Sequence, residues 1–396
     1  MIQRDREISL YGAGEQRKAP TFVDLFCGAG GLTLGFCQAG GKPLAAIDKD
    51  HQSVTTYREM FPICKEVHTG DITEWQPTFS QSVDVVVGGP PCQGFSLARG
   101  FRFVDDARNH LYKEFVRLVA TIQPAWVVME NVPGITNIGN GVILRQILED
   151  FDKIGYWMDC KVINMAEFGV PQTRRRAIFV GSRSSSSFSW PEPSHVAQAD
   201  LQPSLLNDLQ PFVSVGQALG DLPWPLGEFF SHRANSQMRG PRNRSVKTDP
   251  AFTLRVRGDE FALCERPAKG AFPPGPVPPN KLTYRTPTHS FQQLMRESPP
   301  KWIPEYEPPV TVSTPPPPLK GTRRLTVREQ ARLQTFPDWF RFSGSQYLQG
   351  KQIGNAVPPL FARKLFAAIV GRLQQPELAK HKVTRGSKRV FDVLDR

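Results

Sequence analysis

The chain has 396 residues, 39% of them apolar and 22% charged, with 49 Lys and Arg against 37 Asp and Glu for a formal net charge of +12. This apolar content excludes a disordered polymer, and the length suits a large core domain with a smaller second one. Six scattered cysteines with no CxxC spacing argue against a structural zinc site or a disulfide framework and for a reducing compartment.

Residues 1–19 read as a polar arm without an apolar secretory stretch. From Thr21 short apolar runs alternate with helical patterns. Thr21–Phe26, Leu44–Ile47, Val83–Val87, Trp126–Met129, Val162–Met165 and Ala177–Val180 are the expected strands. Leu32–Ala39, His110–Ile122 and Val142–Ile154 are expected helices, so the alternation predicts an α/β domain with a parallel sheet covered on both faces. The pattern stops near Ser182, and the Ser184–Ser187 run reads as a linker. Proline then becomes dense, with 16 of the 37 prolines between Pro267 and Pro318, which predicts a loop-rich second module. Thr326-Val327-Arg328-Glu329 matches a capping box, and a last helix is expected over Pro359–Leu373. No apolar run reads as long enough to span a membrane.

The charge is concentrated in the second module: residues 233–330 carry 17 Lys and Arg against 8 Asp and Glu. Such an excess suggests a polyanionic partner, although a generic basic surface explains net charge alone equally well. The last 25 residues add 7 against 3, which a solvated basic tail also explains.

Four runs carry candidate chemistry. Asp24-Leu25-Phe26-Cys27-Gly28-Ala29-Gly30-Gly31 places a glycine turn between a strand and a helix, where backbone N–H groups face a ligand. A glycine turn alone is as often structural, but Asp48 and Asp71 follow the next two strand ends, and such ends line one crevice in an open parallel sheet. Gly88-Gly89-Pro90-Pro91-Cys92-Gln93 follows an apolar strand, and its prolines stiffen the approach to Cys92. A lone cysteine is more often buried and inert; a strand-end loop reverses that expectation. Glu130-Asn131-Val132 offers an acid–base group or an ordinary turn cap. Gln172-Thr173-Arg174-Arg175-Arg176 offers anion contacts or a solvated basic turn.

Together with Gln352-Ile353-Gly354-Asn355-Ala356-Val357-Pro358-Pro359, these runs in this order resemble the DNA cytosine-5 methyltransferases of prokaryotic restriction-modification type. The resemblance runs from Thr21 to about Leu373 with a variable gap at roughly 186–322. It implies a Rossmann-like S-adenosylmethionine-dependent methyltransferase domain over 20–185, completed by 344–373. It also implies a smaller, loop-rich target-recognition domain over 186–343 and a basic tail over 374–396.

By resemblance, Phe26, Gly28, Ala29, Gly30, Gly31 and Leu32 shape the S-adenosylmethionine pocket, and Asp48 holds the ribose hydroxyls. The family usually has Glu there followed by an apolar or aromatic residue; this chain has Asp48 and Lys49. Asp71 and Ile72 contact the adenine, while Pro90, Asn355, Ala356 and Val357 complete the pocket. Cys92 attacks cytosine C6, Glu130 engages N3, Arg176 contacts O2, and Arg174 supports the loop. The target base is flipped out of double-stranded DNA. Gln93, Ser96 and Arg99 are expected on a mobile loop over the base, and Arg242, Arg244, Thr253, Arg255 and Arg257 read sequence or grip phosphate. The implied protein is a metal-free, cytoplasmic, nucleoid-associated monomer. Two other readings compete: a tRNA cytosine-5 methyltransferase of the same family, whose own motif is not seen here, and a catalytically silent DNA-binding homologue, which usually loses the nucleophile or the cofactor loop.

Overall fold

The computed structural model describes residues 19–91, 110–185, 187–197, 200, 209–219, 244–245, 251–252, 261–263, 283–285 and 322–373. In chain order the elements begin β1 (Thr21–Leu25), α1 (Gly31–Gln38), β2 (Lys42–Asp48), α2 (His51–Met60), β3 (Glu66–Thr69), β4 (Val85–Gly88), α3 (His110–Ile122) and β5 (Trp126–Asn131). They continue with α4 (Val142–Lys153), β6 (Trp157–Asn164), β7 (Gln172–Thr173), β8 (Arg175–Ser182), β9 (His195–Val196), β10 (Gln210–Pro211) and α5 (Val215–Leu219). The remainder are β11 (Arg244–Ser245), β12 (Ala251–Phe252), β13 (Phe261–Leu263), β14 (Thr283–Arg285), β15 (Thr322–Arg324), α6 (Val327–Leu333), α7 (Gln346–Asn355) and α8 (Pro359–Leu373).

The chain divides into two compact units. One comprises Met1–Met165, Arg175–Glu192 and Val357–Arg396; the other comprises Ala166–Arg174 and Pro193–Ala356.

The first unit is built on a seven-stranded sheet of order β3-β2-β1-β4-β5-β8-β6. Strands β1 to β5 are parallel, and every residue of β1 and β4 is buried. Strands buried this completely read as continuous apolar runs, which is why they stand out in the sequence. The parallel expectation fails at one edge: β8 runs antiparallel to both β5 and β6. Between β6 and β8 lie only a 3-10 turn (Met165–Phe168) and the two-residue β7, with no helix to form a parallel crossover. Strand β6 is also longer than the expected Val162–Met165, because its first half is partly exposed and interrupts the apolar pattern.

The core of this unit joins Val23, Leu25, Val86, Phe115, Val127 and Phe151 across sheet and helices. Each such fully buried side chain contributes roughly 1.5–3 kcal/mol. Helix α8, more than 300 residues downstream, packs on α1: Phe366 stacks on Phe36 with ring centroids 4.1 Å apart. The stretch Gln346–Leu373 is long and apolar enough, by length and composition, to cross a membrane. It is broken into α7 and α8 around Pro358, and 56% of its apolar 18-residue stretch is buried within the protein.

In the second unit, β11, β14, β13 and β15 form a small antiparallel sheet. Strand β12 pairs in parallel with β7, Ala251 with Gln172 and Phe252 with Thr173. Helix α6 begins with the expected capping box: the Thr326 hydroxyl accepts from the Glu329 N–H, and the Glu329 carboxylate accepts from the Thr326 N–H. At its other end Phe336 N–H donates to the Ala331 carbonyl and Thr335 N–H to that of Arg332, closing the helix with Thr335 at φ 65°.

Candidate active site

The first unit's sheet changes direction between β1 and β4, since the chain leaves β1 toward β2 on one side and returns at β4 on the other. Ligand crevices in open α/β sheets form at the carboxyl ends of such strands. At the end of β1, Phe26 and Gly28 both take positive φ, 58° and 52°, turning the chain sharply into α1. A Cβ at Gly28 would meet nothing within 4 Å, so the turn faces open space.

The Asp48 carboxylate holds this turn. One oxygen accepts the Gly28 N–H at 2.9 Å and the other the Asp50 N–H at 2.8 Å. Each carboxylate oxygen has two acceptor directions, so the same group can take hydroxyl donors from a ligand. At the next strand end Asp71 is exposed and accepts from both the N–H and the hydroxyl of Thr73, at 2.9 and 2.8 Å. Ile72 beside it is buried in the core, and Lys49 is exposed. An open glycine turn with rigidly held carboxylates after successive strands fits a nucleoside-bearing cofactor.

Beneath the turn lies a group that the sequence reading did not single out. Asp24 is 1% exposed; one oxygen accepts from the Thr33 hydroxyl at 2.6 Å, and that hydroxyl is 2.8 Å from the Tyr57 hydroxyl. Among the described residues its other oxygen has no partner. Burial pushes the Asp24 carboxyl up to about 7, opposed by the Thr33 bond and reinforced by the nearby charge of Asp48.

The second cluster sits at the ends of β4 and β5. Glu130 Oε1 is 2.8 Å from Arg176 Nε, both side chains being mostly buried. A Cβ at Gly89 would stand 3.0 Å from Glu130 Oε2, so the start of the Gly-Pro-Pro run lies against this carboxylate. Asn131, 4% exposed, donates from Nδ2 to the Pro90 carbonyl at 3.1 Å and accepts the Val132 N–H at 2.8 Å. Its carboxamide thus fixes the chain two residues before Cys92. Cys92 itself, with Gln93, Ser96 and Arg99, lies outside the described residues.

A third group lies within the second unit. Arg174 is 1% exposed and donates to the Gly354 carbonyl at 3.0 Å, a buried position within the polypeptide. Gln172 donates to Gln334 Oε1 at 2.6 Å, and Gln334 Nε2 donates to the Ala356 carbonyl. Asn355 is exposed and Ala356 is buried in this unit; Val357, also buried, begins the last segment of the first unit. Of the expected DNA-reading residues, Arg244 falls in β11, while Arg242, Thr253, Arg255 and Arg257 lie outside the described residues. No group of three metal-ligating side chains occurs among the described residues.

Four residues absent from the sequence-based site emerge: Asp24, Asn131, Gln172 and Gln334. The first three lie inside runs that the sequence reading quoted. Nothing in the sequence marks Gln334, which meets Gln172 across 162 residues.

Known proteins share this layout. The C-5 cytosine-specific DNA methylase family model matches residues 20–371. The Type II methyltransferase M1.HphI of Haemophilus parahaemolyticus is 35% identical over 380 residues, covering 88% of this chain and 86% of that protein. The Type II methyltransferase M.BspRI of Lysinibacillus sphaericus is 34% identical over 389 residues, covering 88% and 80%. Among solved structures, a DNA modification methyltransferase encoded within an E. coli prophage superposes with a TM-score of 0.56 at 23% identity, covering 90% of this chain and 100% of that one. The S. pombe Dnmt2 methyltransferase gives 0.54 at 14% identity, covering 89% and 99%; both likenesses show the Rossmann-like methyltransferase fold. With the match extending over nearly its whole length, the chain belongs to the C-5 cytosine-specific DNA methylases, the DNA cytosine-5 methyltransferases.

Proposed function

We propose that this protein methylates C5 of a cytosine within a specific duplex DNA sequence, as the modification enzyme of a restriction-modification system. The observation that carries this reading is the Glu130–Arg176 pair packed against Gly89 at the head of the Pro-Pro-Cys-Gln run. S-adenosylmethionine, when bound, supplies a methyl group on a sulfonium centre. Phe26, Gly28, Gly30, Asp48, Asp71, Ile72 and Pro90, together with Asn355, Ala356 and Val357, are the residues that would hold it.

Cys92, as thiolate, adds to C6 of a cytosine flipped out of the duplex, and the electron pair of the C5–C6 double bond is delocalised toward N3. Glu130 supplies a proton to N3 as negative charge develops there, and Arg176 serves both Glu130 and the cytosine O2. The enriched C5 would take the methyl group, with S-adenosylhomocysteine as the leaving group; water acting as base then removes the C5 proton, whose bonding pair re-forms the C5–C6 double bond and expels Cys92 as thiolate. Arg174, buried against Gly354, acts by positioning the strand that carries Arg176. The basic second unit grips and reads DNA through candidates including Arg242, Arg244, Thr253, Arg255 and Arg257, with Gln93, Ser96 and Arg99 as further DNA-contact candidates. The enzyme works as a monomer in the cytoplasm, associated with the nucleoid through DNA.

Bisulfite sequencing of host DNA from cells expressing the wild type or Cys92→Ser tests this reading. Methylcytosine in one sequence context, present with the wild type and absent with Cys92→Ser, is the expected outcome. Methylation confined to tRNA, or undiminished by Cys92→Ser, would overturn it.

A further inference from the structure

The chain passes between the two units after Arg174 and after Ala356, among other points. Within two residues of both of these crossings the chain is held from the same place. Gln334, fully buried at the end of α6, accepts from Gln172 Nε2 at 2.6 Å and donates to the Ala356 carbonyl. Gln172 Nε2 also reaches the Leu333 carbonyl at 3.3 Å, and Arg174 adds its bond to the Gly354 carbonyl at 3.0 Å. One carboxamide therefore sets the spacing of two stretches far apart in sequence. One continues within four residues to Arg176, and the other within one residue to Val357.

The local backbone holds Gln334 in place. It caps α6, and the next residue, Thr335, sits in the left-handed region at φ 65°. A β-branched residue there is strained, and such strain persists only where the surroundings over-determine the conformation. Buried carboxamides must find partners for both ends, so this pair specifies one arrangement and penalises others.

We propose that Gln334 is a positioning residue for methyl transfer, joining through one side chain the segment that delivers Arg176 to the target cytosine and the segment that delivers Val357 to the cofactor. This rests on the function proposed above. The Gln172 arm sets the cytosine side and the Ala356 arm the cofactor side, so cutting them separately has separable effects.

The test compares Gln172→Met, which removes the first arm, with Gln334→Met, which removes both, in the full chain acting on its duplex DNA. Steady-state kcat and the KM for S-adenosylmethionine are measured, with thermal melting to confirm folding. Gln172→Met is expected to lower kcat about tenfold with the cofactor KM within about twofold of wild type. Gln334→Met is expected to lower kcat comparably and raise the cofactor KM about tenfold. If Gln334→Met does not fold, Gln334→Asn, one carbon shorter with both polar groups kept, is read against the same expectation. Folded variants with both constants within about twofold of wild type, or a Gln172→Met that raises the cofactor KM as much as Gln334→Met does, overturn the proposal. An inactive wild type would instead refute the underlying function, which makes the two failures distinguishable.

Discussion

Arg176 Nε stands 2.8 Å from Glu130 Oε1, with the two side chains 14% and 12% exposed. The partners lie at the end of β5 and the beginning of β8, strands paired antiparallel, so Glu130 faces Ile178 in the register and Arg176 lies two residues from it along β8. The antiparallel edge of the sheet is what brings them together. A carboxylate this sheltered depends on its cation, and removing one partner of such a pair costs roughly 2–5 kcal/mol where the pair acts.

Arg176→Ala is accordingly expected to lower the single-turnover methyl-transfer rate about 100-fold, with Arg176→Lys recovering little because it lacks the Nε geometry. Glu130→Gln is expected to lose a comparable amount. The Arg176→Ala, Glu130→Gln double variant should lose little more than either single change, since the two act as a unit. Rate losses that simply multiply would show that the ion pair carries no coupling.

Asp24 gives the fold a pH dependence. Its carboxyl is pushed by burial from the ordinary 3.8 to about 7, whereas in the unfolded chain it titrates near 3.8. Between these values the folded protein keeps a proton that the unfolded chain has released. Its contribution is therefore fully present below about pH 4 and is lost as pH rises through about 7. The loss is on the order of a few kcal/mol by pH 8. Asp24→Asn cannot titrate, so its urea midpoint should gain on that of the wild type from about pH 4 to about pH 7 and hold level above that. A difference between the two proteins that is the same at every pH would refute this account.

The α1–α8 contact depends on Gly35. A Cβ there would stand 2.5 Å from both the Ala362 Cβ and the Pro359 carbonyl oxygen, and 2.7 Å from the Arg363 nitrogen. Two of these three atoms are backbone, so the helices must separate to accept any side chain. Gly35→Val is expected to destabilise the protein by about 2–3 kcal/mol. Calorimetry should show a melting temperature lower by roughly 4–10 °C. A melting temperature equal to that of the wild type would mean that α8 does not depend on this close approach.

Much of the first unit was legible in the sequence because its physics is local. A strand buried on both faces must be a continuous apolar run, as at Thr21–Leu25 and Trp126–Asn131, and a helix with one buried face must repeat every three to four residues, as at His110–Ile122. The Thr326 capping box spans four consecutive residues and could be read directly. Glu130 and Arg176 stood out because each follows or opens such an element. Strand β3 was not delimited by pattern, since as an edge strand it exposes most of its side chains.

What the sequence determined by itself was the set of elements and the chemical types at their ends, because those follow from the periodicity and composition of contiguous residues. Only the tertiary structure decided which of those ends meet. The reversed direction of β8, the Glu130–Arg176 pair, the hold of Asn131 on Pro90 and the reach of Gln334 to Gln172 and Ala356 join positions between 22 and 162 residues apart. Such contacts are selected by packing and by the need to pair every buried polar group, conditions that no local window of sequence records.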